Sequence, residues 1–600
     1  MYTDIESCII NAGWQSAYFK LQRGIRQGCP LSALLFNLVV EILGTKIRQT
    51  CTVKGINVEI NDNMFELKIS QVADDTTLTL CGDDSIRNAL QIVDDFSNVA
   101  GPTLNRRKCE AMWIGANRGR RDTPFGIDWP NRPIKSLGIY YGLSEEECET
   151  LNWEKRIDNF ENMLLKWLSR KLTLYGKVLI IKTLAISQLI YNMSMISTPD
   201  WALKRIEKAC FSFLWNRKPD KIKRKVLYSN YQEGGLKMVD IYSKRSSLQA
   251  VWVKRLMQSA LDDTKERHWH LIPLHFINHF GKDFLLFRFN FCKGGDAPSL
   301  RVLPPFYRQV VLTWHELGGG KTDFVRQRQE IIWCNKNYKL NNSTLFFEHW
   351  IRSGLIYVND LCENSEYVAS DILLRKLSDK RNWMSEFMQV KRAIGYSWTD
   401  ENDCTGRETL YGTCVWFNSS MISLDTLNSR YLYSVSLMEN VVRPTAQAYW
   451  DSVTPNLDWK AIWESQTCYI RHNKLREFNF KLLHKILPCR YLLNKWKIRD
   501  TSGNVYSPFC DICNKLENYE HMFLECNRLR KFWGRLNNTE DNQSVKNVLL
   551  EHNKCNITLL TIAKFSIYIS WIRWKDNPRQ LLLDDVHNTF MSLCSLYSAE

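Results

Sequence analysis

Two adjacent carboxylates, Asp74 and Asp75, lie between two short arms, 67–69 and 78–80, in which apolar residues alternate. This pattern predicts a strand, a tight turn and a second strand, which places both side chains at a hairpin tip. Like charges so close are costly unless a cation neutralises them, and two Mg²⁺ ions are what phosphoryl transfer needs. Most Asp-Asp pairs are solvated loop or cap residues, and this chain has others at 83–84, 94–95, 262–263 and 584–585. The hypothesis of a Mg²⁺ site at Asp74 and Asp75 therefore depends on the two strands predicted on either side of them.

A second set of residues has the spacing of metal ligands. It reads Cys510-x₂-Cys513-x₇-His521-x₄-Cys526, and such a four-ligand spacing arises by chance on the order of once in a few thousand. Three thiolates and an imidazole suit a closed, tetrahedral, structural Zn²⁺ site. Basic and aromatic residues surround it, namely Lys515, Arg528, Arg530, Lys531, Phe532 and Trp533. The cluster is either a purely structural staple or a knuckle that also contacts nucleic acid.

Before the acidic pair, a turn-rich segment runs from Arg23 to Ser32 and contains Arg26, Gln27 and Gly28. A glycine there allows close approach of the backbone to a ligand. Pro30 predicts the start of the apolar helix that follows. Taken alone, these residues favour an ordinary helix N-terminus with basic side chains nearby.

Two further basic features stand out. Lys108 follows Gly101, where a predicted amphipathic helix over 85–99 ends, so it is either a solvated lysine after a helix cap or a catalytic cation. The segment from Arg217 to Lys225 holds six Lys or Arg in nine residues. It could hold a nucleic-acid backbone, form a solvated loop or act as a nuclear import signal.

Composition bounds the class of protein. Six hundred residues with 44% hydrophobic side chains predict several domains with real cores, and a net charge of +16 favours a polyanionic partner over a merely basic surface. The nineteen cysteines lack the regular spacing of a disulfide-rich protein. This predicts a reducing, intracellular location, in the nucleus and cytoplasm. The most apolar stretch, 557–572, contains Lys564 and several hydroxyl residues. A buried helix is therefore expected there, and no membrane partner.

The segments 23–36 and 72–77 together resemble the second and third conserved motifs of a reverse transcriptase of the non-LTR, LINE-like retrotransposon type. The resemblance implies that Asp74 is a metal ligand and Asp75 a second or supporting one. It also implies that Arg26, Gln27 and Gly28 contact the incoming nucleotide or the template. Val72 departs from the family, which usually has Tyr or Phe there. Valine retains strand propensity but loses an aromatic surface near the primer end.

The resemblance continues downstream. Residues 101–108 resemble the fourth motif, which implies that Lys108 neutralises or protonates the leaving pyrophosphate. The Leu-Gly strand at 136–139, the helical stretch 167–191 and the Glu233–Leu236 segment also follow family order, and the Cys/His cluster resembles the C-terminal zinc-binding segment of these enzymes. We therefore predict an α+β chain with a partial polymerase palm followed by mainly helical parts. The predicted domains are a palm at 1–150, a thumb at 151–245, a helical connector at 246–470, a zinc-binding segment at 471–540 and a helical tail at 541–600.

The family's first motif carries a further catalytic aspartate upstream of Gln27. In the preceding residues Asp4 is the sole Asp, and its neighbours do not match that motif. We therefore expect an N-terminally truncated RNA-directed DNA polymerase, inactive alone, that uses Mg²⁺, a structural Zn²⁺, an RNA template, a DNA primer and deoxynucleotides. The alternatives are a non-catalytic, zinc-dependent nucleic-acid-binding remnant and a product that never folds stably. The sequence does not predict an oligomeric state.

Overall fold

The structure is a computed structural model. It describes residues 5–21, 28–60, 63–261, 268–281, 284–289, 298–321, 330–363, 366–368, 373, 375–377, 382–395, 414–438, 440–536, 548–550, 557–575 and 583–598. The chain divides into two compact units. The first comprises Met1–Trp153, Val253–Val311 and Gly318–Met421, and the second comprises Glu154–Trp252, Leu312–Leu317 and Ile422–Glu600.

The strands are short and form two-stranded antiparallel ladders; within the described residues these ladders do not merge into a larger sheet. In chain order the strands of the first part are β1 Glu6–Ser7, β2 Ile10–Asn11, β3 Trp14–Gln15, β4 Phe19–Lys20, β5 Ile56–Ile60, β6 Asn63–Leu67, β7 Ile69–Val72, β8 Asp75–Leu78, β9 Ile134–Ser136 and β10 Ile139–Tyr141. The later strands are β11 Lys339–Leu340, β12 Ser343–Thr344, β13 Cys362–Glu363, β14 Glu366–Tyr367, β15 Cys414–Phe417 and β16 Ser420–Ser423.

Helices make up most of the rest. Those before residue 400 are α1 Pro30–Gln49, α2 Asp83–Ala100, α3 Glu145–Leu168, α4 Leu174–Ile180, α5 Ser187–Met195, α6 Asp200–Leu214, α7 Arg224–Tyr228, α8 Ile241–Leu261, α9 Leu271–Ile277, α10 Pro305–Glu316, α11 Glu348–Arg352 and α12 Trp383–Ile394. Those after it are α13 Ser429–Met438, α14 Thr445–Val453, α15 Trp459–Cys468, α16 Asn473–Leu483, α17 Arg490–Lys495, α18 Arg530–Leu536, α19 Ile557–Trp574 and α20 Leu583–Ser598. The chain therefore has the mixed character predicted from its sequence, with small β ladders early and helices throughout.

A small core in the first unit supports the acidic hairpin. Leu43 and Ile47 of α1 and Ala89 of α2 are buried, and side chains of β7 and β8 pack against them. The amphipathic pattern of α2 explains its place, since its apolar face covers this core. α2 ends at Gly101, whose φ of 91° is the left-handed conformation of a glycine helix cap, as predicted.

The opposite face of α1 is exposed. Leu34, Leu38 and Ile42 follow one another at four-residue spacing, and each is more than 60% exposed. Among the described residues, α1 is the one helix long and apolar enough to cross a membrane by length and composition alone. Core helices pass the same test, so this property is weak evidence of a membrane contact. The most apolar stretch of the sequence, 557–572, lies within α19. It is a buried helix as predicted, and even Thr561, Lys564 and Ser566 are buried there.

The second unit joins two parts of the chain that are far apart in sequence. The backbone N–H of Leu174 in α4 donates to the carboxylate of Glu477 in α16 over 3.2 Å. Tyr175 packs its ring against that of Phe480. Helices predicted as a thumb and helices predicted as part of the zinc-binding segment thus share one compact unit.

The sequence also predicts short strands at 110–115 and 136–141, and the first of these predictions is wrong. Residues 110–115 do not form a strand, because Glu110 alone makes an isolated bridge to Asp128. Gly115, with a φ of 60°, turns the chain into a short 3₁₀ turn instead. The predicted strand at 136–141 is observed as the β9–β10 hairpin.

Candidate active site and metal centre

The acidic pair lies at a hairpin tip, as the alternation predicts. β7 pairs with β8 from Ile69 opposite Leu78 to Val72 opposite Asp75, which leaves Ala73 and Asp74 as the two turn residues. Ala73 has a φ of 53°. A positive φ at the first turn residue suits the right-handed twist of the two strands, but the conformation normally favours glycine. The turn is therefore tight and locally strained, and it projects both carboxylates from the end of the hairpin.

A buried lysine anchors the base of this hairpin. Lys68, directly before β7, is 6% exposed, and its Nζ donates to the carbonyl oxygens of Arg48 and Thr50 over 3.0 and 3.1 Å. These carbonyls end α1, where a cation is favourable for the helix dipole. Lys68 Nζ also lies 3.1 Å from Glu66 Oε2. The backbone N–H of Gly55 donates to Glu66 Oε1 over 2.8 Å and is the largest cause that lowers the pKa of Glu66.

Close packing fixes the hairpin against α1. A Cβ placed on Gly44 of α1 would lie 2.6 Å from Oε1 of Gln71 in β7. Glycine at this point lets the helix and the strand approach each other. On the inner side, Ile69 and Leu78 pack on the small core. The hairpin is thus held by its base and one face, while its tip lies in solvent.

Asp74 and Asp75 are both exposed. Within the described part of the chain they make no ion pair, and they do not join a third His, Cys, Asp or Glu to form a cluster of three ligand groups. Two carboxylates at a rigid tip provide part of the oxygen ligand set that Mg²⁺ prefers. The pair fits a divalent cation that is also held by other ligands.

The nucleotide-binding residues predicted from the Gln-Gly-Cys-Pro segment are only partly observed. Arg26 and Gln27 lie outside the described residues. Gly28 is exposed with a φ of 85°, and a Cβ there would meet nothing within 4 Å. Pro30 is the first residue of α1, as predicted. The open backbone at Gly28 leaves room for a ligand. Its contact with the nucleotide or the template stays a prediction.

Lys108 lies in a short 3₁₀ turn, Arg106–Lys108, and its side chain is exposed. Its neighbour Arg106 is engaged elsewhere, with Asp94 at 2.7 Å and with the carbonyl of Phe125 at 3.1 Å. No hydrogen bond or ion pair links Lys108 to the acidic pair within the described residues. Its role in the reaction stays a prediction.

The Cys/His cluster is compact. The potential ligand atoms of Cys510, Cys513, His521 and Cys526 all lie within 4.8 Å of one another. Cys526 Sγ is 3.9 Å from Cys510 Sγ and 3.8 Å from Cys513 Sγ. A tetrahedral Zn²⁺ with Zn–S bonds of about 2.3 Å requires sulfur atoms about 3.8 Å apart. The observed separations therefore fit zinc, and they are far too long for a disulfide.

The imidazole and the thiols also behave as a ligand set. Both ring nitrogens of His521 are buried, and neither has a hydrogen-bond partner in the described structure. Buried polar atoms without partners are costly, and a bound metal would satisfy one of them. Hydrogen bonding with Cys526 is the largest cause that lowers the pKa of Cys510, and the same bond raises the pKa of Cys526, so the pair favours one thiolate before any metal binds.

Local turns and a buried polar network hold this cluster. The backbone N–H of Cys510 donates to the carbonyl of Lys515, and Asn514 takes up a φ of 50°, so the chain turns sharply after Cys513. Glu517 is buried just beyond the turn and accepts 2.8 Å from Nε1 of Trp571 in α19. Burial raises the pKa of Glu517 to about 7. The cluster is therefore tied to a core helix of the same unit.

The Glu233–Leu236 segment has a structural explanation that involves residues the sequence did not single out. A Cβ on Gly234 would lie 2.7 Å from the ring of Trp463. The carbonyl of Gly234 accepts from Nε2 of His484 over 2.8 Å, and His484 is 7% exposed. The sequence holds no local signal for this joint, because its partners are 250 residues apart.

Comparison with known proteins gives this geometry a context. Residues 2–141 match the family described as "Reverse transcriptase (RNA-dependent DNA polymerase)". The chain is 24% identical over 392 residues to the "Transposon TX1 uncharacterized 149 kDa protein" of Xenopus laevis, an alignment that covers 63% of this chain and 29% of that protein. Two further relatives from Popillia japonica, each named "Retrovirus-related Pol polyprotein from type-1 retrotransposable element R2", are 29% identical over 146 residues and 24% identical over 351 residues.

The two R2 alignments cover 22% and 56% of this chain and 20% and 53% of the relatives. The chain thus spans between a fifth and about half of the length of the curated relatives it matches. The matched segment contains the acidic hairpin, and it is similar to the domain of reverse transcriptases, a class of nucleotidyltransferases. The particular relatives are proteins of transposable elements, and the chain is similar to the reverse transcriptases of non-LTR retrotransposons.

Proposed function

We propose that this chain acts in RNA-directed DNA synthesis for a non-LTR retrotransposon, extending a DNA 3′-hydroxyl on an RNA template. The observation that carries the proposal is the hairpin tip with Asp74 and Asp75, within a segment that matches the reverse transcriptase family. Two Mg²⁺ ions, when bound, would activate the 3′-hydroxyl and stabilise the leaving pyrophosphate.

The chain's own residues have distinct roles in this proposal. Asp74 and Asp75 hold the cations at a fixed place, because the hairpin is anchored at its base through Lys68. Arg26, Gln27 and Gly28 line the nucleotide and template side. Lys108 neutralises or protonates the leaving pyrophosphate. Positioning of this kind supplies much of the catalysis in phosphoryl transfer.

The Cys/His cluster supplies stability in this proposal. Cys510, Cys513, His521 and Cys526 bind one Zn²⁺, and the geometry of the sulfur atoms supports this assignment. A closed four-ligand site leaves no open position for catalysis. Its zinc therefore holds the second unit together.

Primer extension tests the function directly. The purified chain is given an RNA template, a DNA primer and deoxynucleotides, with Mg²⁺ and separately with Mn²⁺. The expectation from the sequence is that the chain alone does not extend the primer. Extension that is lost in the Asp74→Ala, Asp75→Ala variant would overturn that expectation and would support a catalytic role for the pair. Extension that survives in that variant contradicts the role of the pair, and no extension by the unaltered chain contradicts the view that it carries out the reaction itself.

Metal binding at the hairpin can be tested without activity. Fe²⁺ replaces Mg²⁺ and, with peroxide and ascorbate, cleaves the backbone near its binding site. We expect cleavage close to residues 73–76 that is lost in Asp74→Asn, Asp75→Asn. The control, Asp83→Asn with Asp84→Asn, removes another Asp-Asp pair, whose carboxylates form ion pairs with Arg120 and Arg87, and it should leave the cleavage unchanged.

A second candidate function is a non-catalytic, zinc-dependent nucleic-acid-binding protein. Two observations favour it: the well-formed Cys/His cluster, and the acidic pair that lacks a third ligand group among the described residues. RNA binding without extension, lost on removal of zinc, would support this candidate over the polymerase.

A further inference from the structure

The basic segment after α6 is built into the second unit. Lys177 of α4 is 3% exposed, and its Nζ donates to the carbonyl oxygens of Phe213 and Leu214 over 3.0 and 3.2 Å. Lys177 also bonds the side chain of Asn216. These bonds cap the C-terminus of α6 and fix the point where the loop leaves it. Asn216 and Arg217 both have positive φ values, 54° and 61°, so the chain turns away sharply there.

Past this turn, lysines from two parts of the chain converge. Lys218 and Lys221 are exposed on the loop, and Lys481 projects from α16. Desolvation, then the charge of Lys481 and then that of Lys218, lower the pKa of Lys221, so the three ammonium groups lie close enough for their charges to repel one another. Such a concentration of like charge costs free energy unless an anion is bound.

The acidic groups near these lysines are already engaged. Asp220 pairs with Arg224 at 2.8 Å. Glu477 pairs with Lys481 at 3.0 Å and also accepts from the backbone of Leu174. Within the described residues, Lys218 and Lys221 form no ion pair. The positive charge at this surface is therefore only partly compensated by the protein.

An exposed tryptophan lies beside the lysines. Trp496, which follows α17, is 39% exposed. Nζ of Lys221 lies 5.7 Å from the centroid of its ring. Exposed aromatic rings next to cations are the usual platform on which unpaired bases stack while the phosphates are neutralised. We call Lys218, Lys221, Lys481 and Trp496 the basic patch.

We propose that the basic patch binds single-stranded nucleic acid, with phosphates at Lys218, Lys221 and Lys481 and one base stacked on Trp496. An aromatic platform distinguishes this surface from a purely electrostatic duplex contact, since bases inside a duplex cannot stack on a side chain. The inference deepens the proposed function, on which it rests for the nature of the partner, but the patch requires neither Mg²⁺ nor the acidic hairpin.

Binding by the full chain is measured by fluorescence anisotropy with a labelled single-stranded RNA of about 20 nucleotides, without Mg²⁺ or nucleotides. In the Lys218→Gln, Lys221→Gln variant, two phosphate contacts are lost. The negative slope of log affinity against log salt concentration should therefore become shallower by about 1.4. Trp496→Leu should weaken binding about tenfold, the loss expected for one stacked base, and leave the slope unchanged.

The matched control is Lys204→Gln, Lys208→Gln, which removes two exposed lysines from α6 of the same unit. It should bind like the unaltered chain. The proposal is overturned if the control loses as much affinity as the patch variant, if neither patch variant weakens binding, or if an RNA duplex of equal length competes as well as the single strand.

A second measurement uses the unaltered chain and so does not depend on how a variant folds. RNA that contains 4-thiouridine is crosslinked to the protein, and the attached peptides are identified. Crosslinks within 215–225 or 481–499 support the patch, and crosslinks confined to other segments contradict it. Crosslinking at the patch by a chain that does not extend primers would favour the non-catalytic nucleic-acid-binding candidate and leave this inference standing.

Discussion

The acidic hairpin of the first unit and the Cys/His cluster of the second unit are both candidate metal sites, but they are built differently. The hairpin exposes two carboxylates at a strained tip, and its support comes from below through Lys68. The cluster encloses four donors, three of them buried, in a framework tied to α19. The first arrangement keeps both carboxylates open to solvent. The second leaves no open position, which suits a metal that stabilises the fold.

The largest effect should follow from breaking the cluster. In Cys510→Ser with Cys526→Ser we expect zinc content to fall to zero and the free energy of unfolding of the second unit to fall on the order of 5 kcal/mol, because binding energy at such sites is folding energy. Zinc analysis and thermal melting measure this. The control, Cys468→Ser, removes an exposed free cysteine and should change neither quantity. Full stability without zinc would remove the contrast between the two sites.

The second prediction concerns pH and the same unit. Burial lowers the pKa of His484 to about 4, below the value of about 6.5 expected in an unfolded chain. The folded state thus binds fewer protons, so its stability is complete above about pH 6.5 and declines as the pH falls towards 4, by about 3 kcal/mol in total.

His484→Gln can still donate to Gly234 but cannot titrate, so this part of the pH dependence should disappear. The free energy of unfolding is measured with denaturant at several pH values for the variant and for the unaltered chain. Any effect of zinc release is common to both proteins and cancels in the difference between them. His472→Gln, at a half-buried histidine, serves as control. Equal slopes for the unaltered chain and His484→Gln would show that His484 does not titrate in this way.

A smaller effect is expected at the base of the acidic hairpin. Lys68→Met keeps the aliphatic chain but leaves two carbonyls and Glu66 without their cation. We expect a loss of about 2 kcal/mol, the usual cost of unsatisfied buried groups. Hydrogen exchange of β7 and β8 should accelerate in parallel. Unchanged exchange would mean that the core alone holds the hairpin.

The smallest effect is expected at the hairpin tip itself. Asp74→Asn with Asp75→Asn should change stability by no more than about 0.5 kcal/mol, since both side chains are exposed and removal of like charges relieves repulsion. Thermal melting without divalent cations measures this. A large destabilisation would show that the pair has a structural role and would blur its contrast with the cluster.

Local sequence patterns predicted the features whose determinants lie close together in the chain. The alternation of apolar residues predicted the hairpin around Asp74, and the spacing of the cysteines and His521 predicted the cluster from Cys510 to Cys526. Helix α2 and its glycine cap followed from periodicity. Arg26 and Gln27 lie outside the described residues, so their roles remain predictions.

The features that were missed depend on distant partners. Lys68, Lys177 and His484 are polar residues that sequence patterns assign to the surface. Each is buried because carbonyl groups 18 to 250 residues away accept its hydrogen bonds. The strand wrongly predicted at 110–115 failed for a related reason, since strand propensity cannot form a ladder without a partner strand.

The bond between Gly234 and His484 has a consequence for synthesis of the protein. A ribosome adds about 5 to 20 residues per second, so the 250 residues between these partners take roughly 10 to 50 s to emerge. During that time the helices before residue 252 present to the cell the apolar surface that Trp463 and Phe480 later cover. The nascent chain is therefore expected to need chaperone protection until its C-terminal third has left the ribosome.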